Sequence, residues 1–129
     1  LTTGLRHHAR LFMHERASMP YSAEFAAHEP SRAEVDARSG LTAIEFGAPW
    51  CPHCIGAQPL FEAALAARDD IPHLKIEDGP GRPLGRSFRI KLWPTLVLLR
   101  DGAEVARVVR PTAQADVDQL LRLVEGGSE

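Results

Sequence analysis

GAPWCPHCIGAQP, residues Gly47 to Pro59, carries both cysteines of a 129-residue chain, and its reading decides the fold. The residues before it, LTAIEF from Leu41 to Phe46, are nearly all apolar and β-prone at their centre. They read as a strand buried on both faces, with one anomaly, Glu45. After it, Pro52 suits a first helical turn, where its missing N–H costs nothing. Ile55, Leu60, Phe61 and Leu65 then give an apolar face down to about Arg68. Pro59 falls inside this helix and is expected to kink it. The quoted stretch is therefore a strand-to-helix turn with a CxxC pair at the start of the helix.

Working outward, Tyr21 to Phe25 reads as a short edge strand, and Ser31-Arg-Ala-Glu34 as a capping box opening a helix to about Arg38, ended by Gly40. His73 to Glu77 is a strand with Leu74 and Ile76 on one face and His73, Lys75 and Glu77 on the other. Leu84 to Phe88 is a short helical segment after the DGPGRP loop. Thr95 to Leu99 is a strand that Asp101-Gly102 joins as a hairpin to Glu104–Val109. Thr112 is placed to cap a last helix with Val117, Leu120, Leu121 and Val124 in one stripe, ended by Gly126. A βαβ half followed by a ββα half makes a three-layer α/β domain with a central mixed sheet over residues 21–126. Residues 1–20 are expected to be a disordered extension, with Met19 a candidate start, and residues 127–129 a tail.

Composition narrows the function. With 44% hydrophobic and 25% charged residues the chain is ordinary for one soluble domain. A formal charge of −2 and a pI near 6.3 provide no basic excess for nucleic acid. No apolar run approaches the ~20 residues of a membrane span, and no signal-like apolar segment opens the chain. The expected setting is the cytoplasm, with no membrane contact.

The cysteine pair has three readings: a structural staple, half of a metal site, or a redox couple. A disulfide across so short a loop constrains little chain entropy. A zinc site needs further ligands, and only His53 and His73 offer themselves. As a redox couple the arrangement has a direct rationale. At the helix start, unpaired N–H groups and the helix dipole favour an anion at Cys51, the expected nucleophile. Cys54, within the first turn, is placed to attack a mixed disulfide at Cys51 and release the product.

At this point the chain resembles the thioredoxin family. EFGAPWCPHCIGAQP is similar to the family's strand, turn and active-site helix, with an acid before the first cysteine, Trp beside it and Pro after the second. LWPTLVLLRDGAEV resembles the segment that holds the family's cis-proline and final hairpin. The resemblance implies a thioredoxin fold and a thiol-disulfide oxidoreductase without a bound cofactor or metal. It also implies protein disulfides as substrates, a reductase as electron donor, and a monomer. Glu45 matches the family's buried acid, which acts through water as a base for the resolving thiol; burial is expected to raise its pKa. Pro94 matches the cis-proline, so Trp93 would present its backbone to an extended substrate. Trp50 and Trp93 would form apolar walls for it.

The departures are informative. His73 stands where the family often has a lysine beside the buried acid, which removes a fixed cationic neighbour and makes proton transfer more sensitive to pH near neutrality. Arg110 replaces the usual glycine beside the substrate groove, with Pro111 after it, and is expected to narrow substrate choice towards acidic or small disulfides. Pro52-His53 replaces the Gly-Pro of typical thioredoxins and looks like the dipeptide of the periplasmic disulfide oxidase. That predicts a less reducing couple and a Cys51 that is largely thiolate at neutral pH. The short span between Ile76 and Pro94 leaves no room for the oxidase's helical insertion. Two other readings remain: an oxidase or isomerase of an oxidising compartment, and a thioredoxin-fold binding or chaperone module whose redox chemistry is incidental.

Overall fold

Side chains along Leu41–Gly47 (β1) alternate between two apolar environments, which makes this strand a central one. Leu41 and Ala43 join Phe61, Leu65, Leu96, Leu98 and Val117 on one face. Ile44 and Phe46 join Val35, Ile76, Leu84, Phe88, Val97 and Leu99 on the other. In the computed structural model, which describes residues 21–125, the elements follow as α1 (Arg32–Asp36), β1, α2 (Pro52–Leu65), β2 (His73–Glu77), α3 (Pro83–Ser87), β3 (Thr95–Arg100), β4 (Ala103–Val109) and α4 (Gln114–Arg122).

The sheet order is β2-β1-β3-β4. Strands β1 and β2 are parallel, with Ala43 opposite His73 and Glu45 opposite Lys75. A parallel pair needs a crossover, and α2 supplies it. Strand β3 runs antiparallel to both β1 and β4, with a register shift at Leu98/Leu99. Helices α2 and α4 cover one face, while α1 and α3 contribute Val35 and Leu84 to the other. This is the three-layer α/β/α architecture with a mixed sheet.

Four local expectations need correction. Tyr21 to Phe25 is not a strand: Ser22 donates its backbone N–H to His73 Nδ1 at 2.9 Å and its hydroxyl to His73 O at 2.7 Å. With that donor spent on a side chain, a single backbone bond to β2 just past the segment, Ala26 N to Lys75 O at 2.8 Å, makes no ladder. The capping box at Ser31 and Glu34 forms, at 3.0 and 2.8 Å, but α1 ends at Asp36 rather than Arg38. Helix α2 ends at Leu65 rather than Arg68 and runs through Pro59. Ala113, not Thr112, caps α4; Asp116 in the first turn reaches back to accept the N–H groups of Thr112 and Ala113, both at 3.1 Å. The expectations for residues 1–20, Gly126 and 127–129 lie outside the described residues. Among the described residues no helix is long and apolar enough to cross a membrane.

Candidate active site

Cys51 is the N-cap of α2, with Pro52 in the first turn, and its Sγ accepts the backbone N–H of Cys54 at 3.4 Å. The sulfur therefore takes one of the N–H donors that a helix start leaves unpaired. Cys51 and Cys54 are 4% and 2% exposed, and both are free thiols. Gly47, at the end of β1, makes room for the second sulfur: a Cβ there would lie 2.6 Å from Cys54 Sγ. Burial pushes the Cys54 thiol up to about 12; its hydrogen bond with Cys51 and the nearby charges of Cys51 and Glu45 act in the same direction, and the Ala48 backbone opposes them. Cys54 is thus a neutral thiol near pH 7, and it must lose a proton before it can attack.

Beneath the pair lies a buried polar network. Glu45 follows Leu41 and Ala43 at spacing two, so alternation aims it at the α2 face, where it is fully buried. Its Oε1 lies 3.0 Å from His73 Nε2, and its Oε2 accepts from Gln58 Nε2 at 2.7 Å. Because Ser22 N–H donates to His73 Nδ1, the ring proton sits on Nε2 and points at Glu45; the imidazole is neutral in this arrangement. All four hydrogen-bonding positions of the Gln58 amide are used. Nε2 also donates to Cys54 O at 2.9 Å, while Oε1 accepts from Lys75 Nζ at 3.0 Å and from Tyr21 OH at 2.7 Å. Burial, with the Glu45 and Glu62 charges behind it, raises the Tyr21 phenol.

His73, which stands where the family often has a lysine, is thus the direct partner of the acid at 3.0 Å. A cation is nevertheless close by. Lys75, opposite Glu45 in the β1–β2 register, is held one amide away by Gln58, by Ala23 O at 3.0 Å and by the Phe25 ring at 4.9 Å.

Across from the sulfurs, the Trp93–Pro94 bond is cis, and Trp93 packs on Ala48, Cys51 and Cys54. Its indole Nε1 donates to Asp78 Oδ2 at 2.9 Å. Asp78 is in turn pressed against Gly85, where any Cβ would overlap its carboxylate. Trp50 meets Trp93 edge to face at 5.6 Å and is 69% exposed; Ile55 and Leu92 are exposed apolar residues as well. Arg110 occupies a left-handed backbone position, φ 48°, a conformation that favours glycine. It does not turn away to solvent: Nε donates to Trp93 O at 2.7 Å and its N–H to Pro94 O at 2.8 Å.

Pro52 and His53 are exposed and line a groove of about 310 Å³ with Gly56, Ala57, Leu60, Pro111 and Thr112. The hydrogen bond at Cys51 Sγ comes from Cys54 N rather than from His53. Among the described residues no group of three or more His, Cys, Asp or Glu is placed to hold a metal ion. Sequence reasoning singled out Cys51, Cys54, Glu45, Trp50, Trp93 and Pro94, and the fold brings them together. It passed over Gly47, Gln58 and Asp78. Gln58, one turn beyond Cys54 on the same helix face, was the one with a readable spacing.

Comparison with known proteins agrees with this geometry. The family model described as Thioredoxin matches residues 24–123. A thioredoxin of Chlamydia trachomatis is 37% identical over 87 residues, which are 67% of this chain and 81% of that protein. Thioredoxin H2-1 of Oryza sativa subsp. japonica is 33% identical over 84 residues, 65% of this chain, which spans only 58% of the rice protein's length. Among solved structures, thioredoxin 2 from Pseudomonas aeruginosa PAO1 in its reduced form superposes with a TM-score of 0.74 at 48% identity, covering 82% of this chain and 98% of that one.

Proposed function

The chain belongs to the thioredoxin family and is a thiol-disulfide oxidoreductase; from that premise we propose that Cys51 is its nucleophile, Cys54 its resolving thiol and Glu45 the base that serves Cys54. Cys51, as thiolate, attacks one sulfur of a substrate disulfide. The substrate S–S bond breaks, one substrate sulfur leaves as a thiolate, and a mixed disulfide forms. Cys54 passes its proton towards Glu45 and attacks Cys51 Sγ, which releases the second substrate thiolate and closes the Cys51–Cys54 disulfide. Two electrons have moved to the substrate, and an external reductase returns them.

The observation that carries this reading is the contrast between the two sulfurs. Cys51 sits at a helix N-cap and accepts an N–H, while Cys54 is buried and held at about 12. A thiol so raised has little thiolate of its own at neutral pH, and the buried carboxylate tied to its helix through Gln58 is placed to take the proton. Trp50 and the Trp93–Pro94 segment supply the wall against which an extended substrate lies. Pro52-His53, at the groove mouth, makes the couple less reducing than a Gly-Pro motif would. Protein disulfides, a reductase donor, a cytoplasmic setting and a monomer complete the proposal.

Reduction of insulin disulfides with dithiothreitol as donor tests it. Wild type should accelerate precipitation and Cys51→Ser should not. Equal rates would leave a thioredoxin-fold binding module as the better reading. Cys54→Ser should trap substrates as mixed disulfides, and equilibration with glutathione should place the couple on the oxidising side of a Gly-Pro variant.

A further inference from the structure

Arg110 has a place in substrate choice that follows from its contact with Trp93. Trp93 packs against the cluster of Ala48, Cys51 and Cys54, and its backbone precedes the cis bond to Pro94. Arg110 Nε already donates to the Trp93 carbonyl at 2.7 Å. A peptide that carries a disulfide to Cys51 and pairs along Trp93 would therefore meet Arg110 at that carbonyl, one of whose two acceptor positions is already taken. Among the described residues no carboxylate forms an ion pair with Arg110, so its exposed guanidinium keeps donors for a ligand. The planar fork of an arginine matches a carboxylate better than any neutral group. On the other flank of Trp93, Asp78 opens into a cavity of about 390 Å³ lined also by Arg82, Arg86, Arg89 and Lys91. Arg82 faces Glu77 at 3.5 Å, whereas Arg86, Arg89 and Lys91 have no ion-pair partner among the described residues. A chain of net charge −2 thus places Arg110 on the Trp93 backbone and three further basic side chains around the Asp78 that holds the Trp93 indole.

We propose that Arg110 is a specificity residue that selects disulfides with an acidic residue beside the attacked cysteine. Resting on Trp93 O, it occupies one of the two acceptor positions and crowds the approach of a neutral peptide. A substrate carboxylate draws the guanidinium onto itself and uncovers the carbonyl. The cavity of Arg86, Arg89 and Lys91 extends the attraction to acidic groups farther along the partner. This inference rests on Cys51 being the attacking thiol.

The test uses the reduced full chain in single turnovers with two synthetic peptide disulfides, identical except for Asp or Asn beside the attacked cysteine. Wild type should cleave the Asp peptide about fivefold faster at low salt, the scale of a partly exposed charge pair, and the ratio should shrink as salt screens it. Arg110→Gly, which suits a left-handed φ, should speed the Asn peptide and bring the ratio to about one. Arg110→Lys, which keeps the charge and loses the fork, should retain part of the preference. Equal rates in wild type, or a preference that survives in Arg110→Gly, would overturn the inference and leave the oxidoreductase mechanism intact. If wild type cleaved neither peptide and matched Cys51→Ser, the assignment of Cys51 would fail, and this inference with it.

Discussion

Replacement of Glu45 by glutamine isolates the proton transfer on which the resolving step depends. The amide keeps nearly the same shape in a site with no exposed surface, but its NH2 must face either the His73 Nε2–H or the Gln58 Nε2–H, so one of those bonds is lost along with the base. In the reduced protein the Cys54 thiol at about 12 lies about 7 kcal/mol from deprotonation at pH 7, at 1.36 kcal/mol per pH unit; in the mixed disulfide the Cys51 contributions fall away, and burial, the largest cause, still holds the thiol up. A positioned general base recovers a factor of roughly 10² to 10⁴. The assay is a single turnover with a chromogenic aromatic disulfide, in which the first released thiolate reports attack by Cys51 and the second reports resolution by Cys54. In Glu45→Gln the first phase should change little, and the second should slow by about 10² or more at pH 7. The slowed phase should then rise nearly tenfold per pH unit, because the thiolate fraction of Cys54 limits it. A second phase of wild-type speed, or one that ignores pH, would refute the role given to Glu45.

Other outcomes follow from the same contacts. Gly47→Ala places a Cβ 2.6 Å from Cys54 Sγ, so the reduced protein should lose about 1–3 kcal/mol in denaturant unfolding and resolve mixed disulfides more slowly. Because the folded-state value of Cys54 is raised from 9.0, the native reduced protein binds more protons than the unfolded chain above about pH 9. Its stability should therefore fall as pH rises from there towards 12, by up to about 1.4 kcal/mol per unit, in chemical denaturation. The oxidised protein has no such thiol and should lack this slope. Asp78→Ala removes the acceptor of the Trp93 indole; Trp93 fluorescence should shift and KM for a peptide disulfide should rise more than kcat falls.

Much of the site is legible because its parts are local. Cys51, Pro52 and Cys54 declare a helix start within four letters, and Glu45 stands out as a charge inside an apolar strand. The hairpin at Asp101-Gly102 carries its own turn chemistry, with φ of 51° and 81°. What escaped reading depends mostly on partners far away in the chain, the cap of the last helix being the local exception. Tyr21 to Phe25 has the composition of a strand, yet its Ser22 N–H goes to a histidine ring that only the fold brings near. Thr112 looks like a cap, but Asp116 reaches back and takes the role from the first turn. Gln58 is a plain polar residue on a helix until Tyr21, Glu45 and Lys75 converge on it from three other segments. Arg110 was visible as a departure; that it lies on Trp93 O follows from a left-handed φ that no neighbouring letter announces.

The contacts of Tyr21, Ser22 and Ala23 redraw the boundary of the working unit. A domain trimmed to begin at its first helix, Arg32, would keep the whole sheet, both cysteines and the cis-proline, and would pass as complete by fold. It would also leave Gln58 with a vacant acceptor site, Lys75 without its backbone carbonyl, and the His73 Nδ1 without the donor that fixes its tautomer. Anyone transplanting or fusing this domain should treat the irregular leader as part of its acid–base machinery and place the junction upstream of Tyr21.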